Sequence, residues 1–189
     1  MNAVTSAAEL VSGQPVPIES VVEAHRNLVD PSRPGALRLR IAKGLLPSTM
    51  ADLVPTLAYL RHDADRDVRD AVTETLVAMP ADELAAVVGD MADVFVLDTL
   101  ARSLPHELEA TMRVATNRAV ADGSLLYLAG VGGRQICETI GRNDVRCLAH
   151  PPLIEALFFN PRAPQGVVQN LLELAVRQSL PLDHMPGFG

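Results

Sequence analysis

Asp65-Arg66-Asp67-Val68-Arg69-Asp70-Ala71-Val72-Thr73-Glu74-Thr75-Leu76-Val77-Ala78-Met79-Pro80 is the stretch whose reading decides the fold. Val68, Ala71, Val72, Thr75, Leu76 and Met79 recur at steps of three and four, which places them on one face of an α-helix. Asp65 or Asp67 stands where a side-chain oxygen caps the free amides of a first turn. Pro80, with no amide hydrogen to give, closes the run. The unit this stretch predicts is a short helix between an acidic cap and a proline.

The same punctuation continues on both sides. Upstream, Ile18, Val21, Val22 and Leu28 form a first stripe, broken at Asp30-Pro31-Ser32-Arg33-Pro34. Leu37, Leu39, Ile41 and Leu45 follow up to Pro47, and Ser48 is placed to cap a helix carrying Met50, Leu53, Leu57 and Leu60. Downstream, Leu84, Val87 and Val88 lead into Met91, Val94, Val96, Leu97, Leu100 and Leu104, stopped by Pro105. Leu108, Met112, Ala115 and Val120 come next, then a Gly123-Ser124 break, Leu125 to Leu128, and a second break at Gly130 to Gly133. Ile136, Cys137, Ile140, Val145 and Leu148 run to Pro151-Pro152, and the last stripes are Ile154–Phe159 and Val167–Val176. No stretch alternates with period two over five residues, so the expected class is all-α.

The helices repeat loosely. Leu76 to Pro80 echoes Leu100 to Pro105 and Ile41 to Pro47, and Pro80 lies 25 residues before Pro105. Asn117, Leu125, Leu128 and Ala129 match Asn160, Val168, Leu171 and Leu172 at identical offsets, 43 residues on. Self-similarity at such periods predicts short helical pairs that bury their apolar faces only by stacking on one another.

Asp65 to Val72, with its Asp-x-x-Val-Arg core, resembles the signature of HEAT repeats. Asn160-Pro161-Arg162-Ala163-Pro164, followed by Val167, Val168, Leu171, Leu174 and Ala175, resembles the Asn-Pro-x-x-Pro and Leu-x-x-Leu-Ala pattern of bacterial leucine-rich-variant repeats. The resemblance implies a right-handed HEAT/armadillo-like α-solenoid, a single domain over 18–180, serving as a recognition surface. It also implies that Asp65 caps a helix, that Arg69 pairs with an Asp of a neighbouring repeat, and that Asn160 bonds exposed backbone at a helix end. Residues 1–17 are expected to be a flexible arm and 181–189 a tail that caps the stack or docks on a second copy.

Composition narrows the function. The chain has 189 residues, 48% apolar and 21% charged, with a formal net charge of −7. Residues 1–100 hold 8 basic and 15 acidic side chains against 8 and 8 in the remainder, so the first half carries the whole imbalance. Neither half has the clustered cations that phosphate backbones attract. Aromatics are 3% with no Trp, which removes base-stacking platforms and makes nucleic acid an unexpected partner. No uncharged run approaches the roughly 18 apolar residues of a membrane span, no secretory leader is visible, and two cysteines fit a reduced, cytoplasmic setting.

Candidate chemistry is sparse. Asp63, Asp65, Asp67 and Glu74 follow a calcium-loop count, but Val68 stands where the sharp turn needs Gly, and a capped helix explains the acids better. Cys137, Cys147 and His150 match no common zinc spacing, and Cys137 falls on an apolar face as a buried thiol. No nucleophile with a base at family spacing can be named, so neither a catalytic residue nor a metal or other cofactor is expected. Gly130 to Arg134, with Gly132, Gly133 and Arg134 as its binding residues, is an alternative site for a phosphate-bearing ligand at a helix N-terminus. Phe158, Phe159, Asn160 and Arg162 form the expected protein-binding patch, since aromatics beside Arg make good hot spots. The function expected is a non-catalytic bacterial adaptor for a protein partner with a basic segment. The alternatives are a ligand-sensing module and a HEAT-like DNA-base glycosylase, the latter disfavoured by the acidic charge and missing Trp.

Overall fold

The computed structural model describes residues 12–105 and 108–180. Among these every regular element is helical, twelve α-helices and one 3-10 turn, with no strand. The chain divides into two compact units between Ala121 and Asp122.

The first unit holds the 3-10 turn Ile18–Ser20, then α1 (Glu23–Val29), α2 (Gly35–Ala42), α3 (Met50–Leu60), α4 (Arg66–Ala78), α5 (Ala81–Asp90), α6 (Val94–Ser103) and α7 (Glu109–Thr116). α4 is the helix read above. Asp65 caps it by accepting from the Asp67 amide at 2.9 Å. Val68, Ala71, Val72 and Leu76 are buried, each fully buried Val or Leu being worth about 1.5–3 kcal/mol. The backbone turns extended at Met79, as the residue before a proline is pushed out of the α region.

α3 keeps Pro55 in its interior, where the ring leaves the carbonyl four residues back, on Ala51, without its helical donor. Ala51 is exposed, at the solvent-facing side of the helix. Thr56 donates its hydroxyl to the Asp52 carbonyl at 2.7 Å and therefore accepts from Nδ1–H of buried His25 at 2.9 Å. This His serves the core.

Other local expectations shift. Thr49, one residue after Ser48, caps α3 by accepting from the Asp52 amide. Residues 12–17 are anchored where a loose arm was expected: Val16 is buried, the Gly13 amide donates to the buried Asp98 carboxylate at 2.7 Å, and Arg102 donates to Ser12. Residues 1–11 and 181–189, which complete the expected arm and tail, lie outside the described residues.

The second unit comprises α8 (Asp122–Val131), α9 (Arg134–Gly141), α10 (Asp144–Ala149), α11 (Pro152–Phe159) and α12 (Gln165–Arg177). Gly123, Ser124 and Gly130 sit inside α8 and break nothing. The run from Ile136 to Leu148 is two helices, divided at Arg142-Asn143. Leu128, Ile136, Leu153, Ile154, Leu157 and Leu171 form the centre of this core.

The three most extensive helix contacts are α2 on α4, α5 on α7 and α8 on α11. In each, a side chain at the C-terminal end of the second helix reaches carbonyls at the C-terminal end of the first, so the helices run parallel. Thr75 donates to the Ala42 carbonyl at 2.7 Å. Asn117 donates to Val88 at 2.8 Å and Met91 at 2.9 Å. Asn160 donates to Ala129 at 2.8 Å and Gly132 at 3.0 Å. The last carbonyls of a helix have no intrahelical donor, and here a neighbour supplies it.

Candidate functional site

Asn160 organises the second unit from below its surface. It ends α11 and is 4% exposed. Its amide takes the two α8 carbonyls and lies 3.2 Å from the Cys137 sulfur, while its oxygen accepts from the Arg162 amide at 2.9 Å. The sequence grouped Asn160 with the partner-binding residues; the structure puts it inside, as a tie between helix ends.

Among the described residues the same local turn occurs three times. Asp30, Asn117 and Asn160 each accept a side-chain bond from the amide two residues on, at 2.7, 2.7 and 2.9 Å. Each also accepts a backbone bond from the amide three residues on, Arg33, Val120 and Ala163. A helix begins five residues after each, at Gly35, Asp122 and Gln165. The first was read only as a breaker. Its Asp-Pro-x-x-Pro spacing matches Asn160-Pro161-x-x-Pro164, and that match was the missed signal.

Above Asn160 the chain faces solvent. Phe158 is half-buried and Phe159 is 56% exposed, their rings meeting edge to face with centroids 5.1 Å apart. Arg162 is exposed and donates to the Val131 carbonyl at 3.3 Å, a cation at the negative end of α8. Val131 is itself 40% exposed. Phe159, Arg162 and Val131 therefore offer an aromatic ring, a pinned guanidinium and an aliphatic edge.

The alternative ligand turn is differently built. Gly132 is buried, Gly133 is half-buried and Arg134 is exposed. Neither glycine has positive φ. Gly132 is required by space: a Cβ there would lie 2.4 Å from the Leu128 oxygen and 2.8 Å from Ile136 Cγ2. Its carbonyl is spent on Asn160.

Arg69 donates to the carbonyls of Asp63 and Ala64, at 2.7 and 2.9 Å, so it braces its own helix start. Asp63, in the α3–α4 connection, pairs instead with Arg38 of α2, bidentate at 2.7 and 3.2 Å with both side chains nearly buried. Burial pushes the Asp63 carboxyl upward, but hydrogen bonds from Arg38 and the Asp65 amide outweigh it and hold it below 3.8. Asp63, the first residue of the calcium count, is thus committed to a guanidinium.

Both thiols are buried and free. Burial raises Cys137, and burial with nearby Asp144 raises Cys147 to about 11, so neither is ionised near neutral pH. Among the described residues no three His, Cys, Asp or Glu side chains are grouped to hold a metal ion, and no helix is long and apolar enough to cross a membrane. No family model, curated protein or solved structure matches the chain.

Proposed function

We propose that the chain is a non-catalytic adaptor built from stacked helical pairs of HEAT-like, leucine-rich-variant type, and that it binds a protein partner through Phe159, Arg162 and Val131. The observation that carries this reading is the recurrent parallel pair in which the second helix caps the end of the first, through Thr75, Asn117 and Asn160. Helices in register at their ends are what stacked repeats require. The thrice-used turn at Asp30, Asn117 and Asn160 adds a second periodic element.

The partner surface follows from the second turn device. Asn160 looks inward while Phe159 and Arg162 look outward, so a large apolar ring and a cation stand on a base tied by hydrogen bonds. Aromatic and Arg side chains dominate binding energy when a partner covers them. The test is affinity capture of the tagged chain from its own cells at about 150 mM salt, beside Phe159→Ser and Arg162→Ser variants. A protein retained by the wild type and lost from both variants is the expected result. Retention unchanged by both, or no protein retained at all, overturns the reading.

A further inference from the structure

We infer that the first unit carries a second docking groove, for a cationic amphipathic segment of a partner protein; the inference rests on the adaptor reading and names the chemistry of what is bound. The groove is open, about 450 Å³, and runs between the α2–α3 connection and the α4–α5 elbow. Met50, Leu53, Ala78, Met79 and Pro80 form an apolar floor. Methionine lends itself to such surfaces because its unbranched, polarisable side chain adapts to varied apolar anchors.

The rim sets the charge of the occupant. Glu83 lines the groove, Asp82 precedes it, and Glu74 lies one turn before Ala78 on the same face of α4. All three are exposed and none makes an ion pair among the described residues. Lys43 lines the groove as the counter-charge to Glu83, and exposed Arg40 lies one turn before Gly44. An acidic rim around an apolar floor complements a segment with apolar anchors on one side and Lys or Arg on its flanks. It repels anionic lipid and nucleic acid. It also opposes a second copy of this chain, whose net charge is −7.

The test selects from a displayed library of random 16-residue peptides on the intact protein, then titrates the best binder while following methionine methyl resonances by NMR. The expected peptides carry a net positive charge beside paired apolar anchors and shift the Met50 and Met79 methyls saturably. A Glu74→Lys/Glu83→Lys double variant, which alters only exposed positions and is checked for fold by circular dichroism, should bind at least tenfold more weakly at low salt. Added salt should shrink that difference, and Phe159→Ser should leave binding unchanged. The inference fails if no peptide is enriched, if those enriched carry no excess positive charge, or if Met50 and Met79 do not move. Binders that move residues around Phe159 alone sink the groove and leave the adaptor reading standing.

Discussion

Replacing Asn160 with Asp should open the second unit far more often while leaving its surface chemistry nearly intact. The substitution keeps size and shape, and the new carboxylate still accepts from the Arg162 amide, so the turn survives. The donor is lost. The Ala129 and Gly132 carbonyls, now bonded at 2.8 and 3.0 Å, would face an oxygen in a site only 4% exposed. An unpaired buried polar group costs about 1–3 kcal/mol, so two carbonyls put the loss at about 3 kcal/mol after modest relaxation. With tenfold for each 1.4 kcal/mol, that is roughly 100-fold in the open population.

The assay is built into the chain, because its only two cysteines are buried in this unit. Labelling by a thiol reagent, when slower than reclosing, follows the open fraction. At pH 7 Asn160→Asp should label roughly 100 times faster than wild type. A carboxyl ringed by carbonyl oxygens has its pKa raised on folding, so its penalty is least below the unfolded value near 3.9 and grows as pH rises through the folded value. The ratio of rates, corrected with denatured protein, should therefore climb from acid toward neutral pH. A ratio within threefold of one at pH 7 would refute the account of Asn160 as a tie between helix ends.

Three further outcomes follow from single positions. Gly132→Ala should destabilise by about 2 kcal/mol or more, because backbone of Leu128 cannot retreat from the new Cβ; Gly133→Ala, with nothing within 4 Å, should stay within about 0.5 kcal/mol. Paired urea melts of the two variants check the contrast. Ser179 holds φ 53 at the end of α12, where Ser179 and Leu180 amides bond back to Val176 and Ala175; Ser179→Gly should stabilise by about 1 kcal/mol, read as a higher melting temperature. Asp63→Asn should cost about 3–5 kcal/mol by leaving Arg38 buried and unpaired. The lowered carboxyl means wild type holds this contribution above about pH 3.8 and loses it as pH falls through the folded value, whereas the variant's stability should lack that component in an acid titration.

The stripes were legible because burial is written into spacing: Val68, Ala71, Val72 and Leu76 could face one core only as a helix. The ties between helices were not, because their partners lie far back in sequence. Asn160 reaches residues 31 and 28 positions earlier, and Thr75 reaches one 33 earlier. Thr75 was counted with an apolar face, where its hydroxyl is as important as its methyl. The 43-residue echo did pair Asn117 with Asn160, but an echo shows that a residue recurs and cannot show whether it points in or out. Gly132 was no more legible, since nothing in its letter shows that Leu128 and Ile136 leave no room for a Cβ.

The proposed function gives one turn two roles that substitutions should separate. Asn160 locks α11 to α8 from inside, and the adjacent Phe159 and Arg162 stand on that lock from outside. A surface fixed in advance loses less conformational freedom on binding, so under the proposed adaptor reading the lock would add to affinity without touching a partner. Phe159→Ser should then abolish partner capture while thiol labelling of Cys137 and Cys147 stays at the wild-type rate. Asn160→Asp should do both, speeding labelling and weakening capture, although every exposed side chain is unchanged. If instead capture survives Asn160→Asp at full strength while labelling accelerates, the partner does not use this turn, and the outward pair is incidental to binding.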